Sequence, residues 1–230
     1  RKDPEFGYMP IKIWGRESSI CTQRILWAAY EANIDVSLQL ASATMGPNGH
    51  ISRGVEPFGI VETDWYLNLN PTGAIPTIED NDQIIWDSGA ILVHFAIQHS
   101  PDKLIAGRIQ DIPKAISWIN WTNEVLEPQL HHLVMHLVRL PPEERDPAIV
   151  EEAHKRVHES LNVLEKVLDN RRWLAGDSFT IADIPAAATL YRWTLFKSGF
   201  DFPRGVSMWF SQIVEREPFK NAVSPKDRHL

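Results

Sequence analysis

A hydroxyl, a thiol and an acidic helix start are the residues of this 230-residue chain best placed to do chemistry. Ser19 falls where a strand pattern gives way to a helical one, and on residue type alone it reads as a turn or N-cap serine. Cys21, the single cysteine, lies in the first turn of that helix and reads as a small, partly buried thiol. Being single, it excludes an intrachain disulfide, a zinc finger and a paired-cysteine redox motif. Asp87-Ser88 open a later helix, where backbone N–H groups and the helix dipole favour an anion. His131, His132 and His136, like His154 and His158, include i,i+4 pairs that can put two imidazoles on one helical face. Third and fourth ligands and any His-Glu-x-x-His pattern are missing, so no metal is expected. No Gly-x-Gly-x-x-Gly, phosphate loop or Gly-x-Ser-x-Gly occurs, which leaves nucleotide and serine-hydrolase chemistry without support.

Composition narrows the setting. Hydrophobic residues make up 43% and charged ones 23%, as in a folded globular chain with room for one or two domains. The net charge of −7 argues against a partner that presents a phosphate backbone, so no nucleic acid is expected. The longest apolar stretch, residues 90–97, is far shorter than the roughly 20 residues a membrane helix needs. A lone cysteine suits a reducing, cytoplasmic setting. Residues 1–8 are charged and lack periodicity, so they read as a leader or cloning remnant.

The elements that must position these groups can be read from periodicity. Ile11-Lys12-Ile13-Trp14 alternates and stops at Gly15, residues 20–33 carry helical spacing closed by Asn33, and residues 34–40 alternate perfectly. Strand, helix and strand make a crossover with parallel strands. Residues 41–62 hold four glycines and two prolines and read as a long loop with at most one short helix. Pro76-Thr77-Ile78-Glu79 and Gln83-Ile84-Ile85-Trp86 flank Asp80-Asn81-Asp82 as a hairpin, followed by a helix over residues 88–98. After a linker at residues 100–109, strand signals vanish. Helices are predicted over 112–137, with Pro128 as a kink, and over 148–168; Thr180 and Asp183 form a capping box before another. The expected architecture is an α/β first domain at residues 9–99 and an all-α second domain at residues 110–230.

Three motifs together resemble the cytosolic glutathione transferases, especially bacterial members with a serine in the active-site loop. Ser19-Ile20-Cys21-Thr22-Gln23-Arg24-Ile25-Leu26-Trp27 resembles their active-site loop and first helix. Asn70-Pro71-Thr72-Gly73-Ala74-Ile75-Pro76, followed by Asp87-Ser88, resembles their glutathione-binding core. The run from Gly176 through Asp177-Ser178-Phe179-Thr180 to Asp183 resembles the capping motif of the helical domain. The resemblance implies a thioredoxin-like first domain, a helical-bundle second domain, glutathione as co-substrate, a homodimer, and transfer of the sulfur to a small apolar or aromatic electrophile.

It also implies roles. Ser19 would donate a hydrogen bond to the glutathione sulfur and favour thiolate. A cis peptide before Pro76 would turn the Ile75 N–H and C=O toward the cysteinyl backbone of glutathione. Asp87 and Ser88 would take the γ-glutamyl end, with aspartate standing where glutamate is commoner. Cys21 stands where relatives carry asparagine; it is either a packed thiol or one close enough for a mixed disulfide with glutathione. His50 and Arg53 are candidates, by charge, for the glycine carboxylate. Trp118, Trp121 and His131 are candidates for an electrophile pocket, with plain aromatic core as the other reading of the tryptophans. A glutathione-dependent disulfide reductase and a non-catalytic binding protein of the same fold are the alternatives.

Overall fold

The computed structural model describes residues 9–42, 60–196 and 201–224. His50, Arg53 and residues 1–8 lie outside them. Strands β1 (Ile11–Gly15) and β2 (Val36–Leu40) are joined by helix α1 (Ile20–Ala32). After α2 (Asp64–Leu69), β3 (Thr77–Asp80) and β4 (Gln83–Trp86) form the hairpin and α3 (Ser88–His94) follows. The sheet order is β2-β1-β3-β4, with β1 parallel to β2 and antiparallel to β3. This is the mixed sheet that the alternation and the hairpin turn predict.

Sequence chemistry sets the joints of this layer. Ile11 and Ile13 point inward from β1 while Lys12 points out, as a half-buried strand requires. Gly15 ends the strand where α1 packs close: a Cβ there would come within 2.5 Å of the Thr22 hydroxyl, so only glycine lets the first turn of α1 approach. Ser19 is extended (φ −80°, ψ 125°) and caps α1 by accepting from the Thr22 N–H at 3.4 Å. Asn33 closes the helix in the left-handed conformation (φ 55°), which asparagine tolerates better than most residues.

The second layer is helical: α4 (Pro101–Leu104), α5 (Ile112–Trp121), α6 (Glu127–Val134), α7 (Pro147–Leu168), α8 (Asp183–Thr194), α9 (Arg204–Val214) and α10 (Glu217–Ala222). Two departures from the sequence expectation have physical causes. The linker region carries a short helix, α4, opened by Pro101 at its N1 position, and Leu104 and Ile105 are buried. The helix expected over 112–137 keeps its path but changes winding. Residues Thr122–Leu126 form a π turn in which the Glu127 N–H donates to the Thr122 carbonyl. Pro128 follows at once, has no N–H to give the ladder, and leaves the turn before it to widen. A second π turn, Met135–Arg139, ends the segment.

One apolar core runs through both layers. α1 is buried on almost every side, with Ile25, Trp27, Ala28 and Ala29 fully enclosed, because α3 and α4 pack against it as well as α8 and α10. Trp27 stacks edge-on against Phe219 at 5.0 Å and lies 5.7 Å from Phe179. α8 is buried on nearly every side, its apolar residues interrupted by the buried Asp183, Thr189 and Arg192, and it is correspondingly central. Its capping residues do what the motif predicts: Asp183 accepts from the Thr180 N–H at 3.0 Å, and Thr180 accepts from the Ala182 N–H at 3.2 Å.

Candidate functional site

The elements converge at the ends of β1 and β3. Ser19, nearly buried, stands at the N-terminus of α1, where unpaired N–H groups and the helix dipole give a positive field. Ser88 is buried at the N-terminus of α3, and Cys21, in the first turn of α1, lies close enough to it to feel its hydroxyl. Asp87 precedes α3 with φ 74°, a conformation aspartate adopts at a cost of about 1–3 kcal/mol, and its carboxylate accepts from the Ala90 N–H at 3.0 Å. The peptide between Ile75 and Pro76 is cis, and Ile75 enters no backbone hydrogen bond among the described residues.

A compact polar network holds the turn that presents Ile75. The buried Asn70 donates to the Ala74 carbonyl at 2.9 Å and accepts from the Thr72 N–H at 3.0 Å. Tyr66, fully buried, donates to the same Ala74 carbonyl at 2.8 Å and meets the Thr77 hydroxyl at 2.9 Å. The Asn70-Pro71-Thr72-Gly73 run is therefore more than a turn. Its first residue ties α2 to the start of β3, and Gly73 takes the left-handed φ of 61° that the turn needs.

A cavity of about 130 Å³ opens beside Ser19, between the two layers. The β1–α1 loop supplies Arg16, Ser19 and Ile20; α6 and the π turn after it supply Leu130, His131, Val134 and Arg139; α8 supplies Arg192. Glu127 completes the lining. His131 thus stands at the cavity, whereas Trp118 and Trp121 are not among its lining residues. The two tryptophans stack on each other at 5.4 Å and pack against the core.

Electrostatics distinguish these groups. Burial pushes the Cys21 thiol above its ordinary pKa, and Arg24 only partly offsets this, so at neutral pH it is a protonated, weakly nucleophilic thiol. Its Sγ lies 3.9 Å from a Glu127 carboxylate oxygen. Burial also lowers the His131 pKa, helped by His132 and Arg139, which keeps the imidazole neutral at pH 7.

Sequence reading missed the arginines. Arg24, buried inside α1, donates to Asn123 and Thr189 at 2.9 Å each and to Glu127 at 2.5 Å, so it locks α1 to the helical layer. Arg192 donates to the Ser18 carbonyl at 2.9 Å and to Gln23 at 3.1 Å, fixing the loop that carries Ser19. The charge at positions 24 and 192, within otherwise apolar helical patterns, was the available signal. Reading missed a second cluster as well: one oxygen of Asp80 meets His94 at 2.7 Å and His99 at 2.6 Å. Burial alone would raise this carboxyl, but the two imidazoles outweigh it and hold the pKa low. The trio ties the hairpin to the end of α3, away from Ser19.

Comparison with known proteins follows the same two layers. Residues 18–97 match the family described as glutathione S-transferase, N-terminal domain, and residues 126–217 match the glutathione S-transferase, C-terminal domain. The chain is 30% identical to glutathione S-transferase GstB of Escherichia coli, over 93% of this chain and 97% of that protein. It is 27% identical to glutathione S-transferase F13 of Arabidopsis thaliana, over 94% and 96%. Among solved structures, the theta class glutathione S-transferase of Xanthomonas axonopodis pv. citri with glutathione bound superposes with a TM-score of 0.79. It is 28% identical, and 94% of this chain and 98% of that one are covered.

Proposed function

Since the chain belongs to the cytosolic glutathione transferase superfamily, we propose that it binds glutathione along Ile75 and Ser88 and uses Ser19 to hold its sulfur as thiolate. The observation that carries this reading is the placement of a nearly buried serine hydroxyl at the N-terminus of α1, beside a cavity lined from both layers. A free thiol has a pKa of about 8.5, and holding it about two units lower makes most of it thiolate at neutral pH. A hydroxyl donor and a helix N-terminus both favour the charged form. Ser19 is a donor in this scheme, and the sulfur is the nucleophile.

The extended peptide backbone of glutathione pairs with the Ile75 N–H and C=O. Its γ-glutamyl carboxylate takes the N-terminus of α3 at Ser88, where the field favours an anion. The Asp87 carboxylate, oriented by the Ala90 N–H, faces the γ-glutamyl amine. Positioning and thiolate stabilisation then carry the rate. A raised Cys21 pKa argues against the disulfide-reductase alternative built on that thiol. His131 contributes a neutral imidazole to the electrophile side, and the reading gives Trp118 and Trp121 a packing role.

The reading extends to a cytoplasmic homodimer. Trp65 on α2, 50% exposed and stacked on Trp14 at 5.0 Å, offers an aromatic surface of the kind that subunits cover. Sedimentation at about twice the 26.3 kDa chain mass is the expected result, and a concentration-independent monomer contradicts it. The function itself is tested by steady-state conjugation assays with Ser19→Ala: kcat falls about 10²-fold or more if the hydroxyl stabilises the sulfur charge.

A further inference from the structure

One oxygen of Asp80 faces two imidazoles at an edge of the molecule that the transferase site does not use. Asp80 ends β3, His94 ends α3, and His99 ends the π turn Phe95–His99 that prolongs α3. In an α-helix, residues five apart are turned about 140° from each other. The π turn, in which the Ser100 N–H donates to the Phe95 carbonyl at 3.0 Å, has the i→i+5 repeat that brings such a pair to one face. A search for i,i+4 histidine pairs passes over this spacing. The two ring centroids stand 5.5 Å apart, and each ring presents Nε2 to Asp80 Oδ2, at 2.7 and 2.6 Å. Lys12 lies opposite Glu79 and Trp14 opposite Thr77, so Asp80 is at the end of the sheet away from Gly15 and Ser19.

The trio is arranged as a ligand set. Asp80 is 7% exposed, and its ionic partners among the described residues are these two imidazoles. Its other oxygen, Oδ1, accepts from the Asn81 side-chain amide at 3.0 Å, the kind of outer hydrogen bond that orients a ligating carboxylate. The three candidate donor atoms lie within 4.8 Å of one another. Around tetrahedral zinc, with bonds of about 2.0–2.1 Å, neighbouring donor atoms stand about 3.3 Å apart, so opening the trio by about 0.7 Å makes room for the ion. The C-terminal end of the α3 segment adds the negative end of a helix dipole, which favours a cation. The His99 side chain is 21% exposed, which leaves a side by which an ion enters and a water fills the fourth position.

We propose that Asp80, His94 and His99 bind a divalent transition-metal ion of the zinc type, which clamps the β3–β4 turn to the C-terminal end of the α3 segment. Two imidazoles, one carboxylate and an open position suit zinc, whereas all-oxygen sets suit magnesium or calcium. The ion replaces the two hydrogen bonds. In the metal-bound form each imidazole carries its ring proton on Nδ1 and gives the Nε2 lone pair to the ion, and Asp80 binds through Oδ2. The clamp takes no part in sulfur transfer, so the proposal is independent of the reading of Ser19.

The test titrates zinc chloride into the full chain, freed of metal by dialysis against a chelator and kept free of glutathione, whose thiol itself binds zinc. Competition with a chromophoric chelator reads the affinity. One ion per chain is expected, with a rise in Tm as it binds. His99→Gln should weaken binding at least about 100-fold and remove the Tm rise, and Asn81→Gly, which tolerates the left-handed φ of 53°, should weaken it about tenfold. X-ray absorption by the one-to-one wild-type complex needs no variant: the expected first shell holds nitrogen and oxygen at about 2.0–2.1 Å, with imidazole scattering beyond it. Failure to bind one ion per chain, an affinity unchanged in His99→Gln, or a sulfur at about 2.3 Å from the ion, which would place it on Cys21, each overturns the proposal.

Discussion

Cys21 and Ser19 sit two residues apart on the same helical turn, yet their surroundings give them opposite chemistry. The hydroxyl faces the cavity, while the thiol is turned toward Ser88 and Glu127, where desolvation keeps it protonated. A raised pKa leaves little thiolate at pH 7, so iodoacetamide should modify Cys21 more slowly than it modifies free glutathione. Mass spectrometry of the alkylated protein measures this, and modification faster than that of glutathione contradicts the placement. Cys21→Ser is expected to keep conjugation activity within about threefold, because the account gives the thiol no role in the reaction. Loss of activity there would return the cysteine to the mechanism.

Each element contributes through one or two polar anchors. Asn70 and Tyr66 both bind the Ala74 carbonyl, so Asn70→Ala removes one of the two supports of the turn before Pro76. The expected result is a loss of about 1–3 kcal/mol in stability and weaker glutathione binding, read by denaturant titration and calorimetry. α8 offers a pH test. Asp183 is fully buried, accepts from the Leu174 and Thr180 N–H groups and from the Trp209 indole, and burial still raises its pKa to about 6. Between about pH 4 and 6 the folded state therefore binds more protons at this site than the unfolded state. Stability from this group is complete below about pH 4, falls as pH rises to about 6, and is level above, a change on the order of 3 kcal/mol. Asp183→Asn should abolish that slope while lowering stability at every pH, because an amide turns its NH₂ toward a donor.

Sequence periodicity revealed β1, α1, the hairpin and α7 because each has a clean apolar period and a turn or cap at its ends. It also found the Thr180–Asp183 cap, whose chemistry is local. The π turns were hidden, since widening a helix by one residue per turn leaves the apolar stripe almost unchanged. The anchors Arg24 and Arg192 were hidden for another reason: a charge inside an apolar helix has meaning only once its partner, 103 or 169 residues away, is known.

At the scale of the molecule, the site exists because two layers close on α1. Arg24, 1% exposed, reaches Asn123, Glu127 and Thr189 from the first layer, and Arg216 grips Glu31 at 2.6 and 2.7 Å while lying 4.2 Å over the Phe179 ring. Breaking a buried pair by removing one partner strands the other, so Arg24→Ala should cost about 3–5 kcal/mol. Because the same contact seats α6 against the Ser19 loop, glutathione affinity should fall with it. A shallow denaturation change with unaltered binding would show that the layers hold together without Arg24.

The claim that a serine hydroxyl between these layers holds a thiolate is tested most directly by the ultraviolet absorbance of bound glutathione as a function of pH, in the wild type and in Ser19→Ala. The account predicts a thiol pKa well below about 8.5 in the wild type and a return toward that value in the variant. Tight binding with an unshifted pKa in both proteins would contradict it.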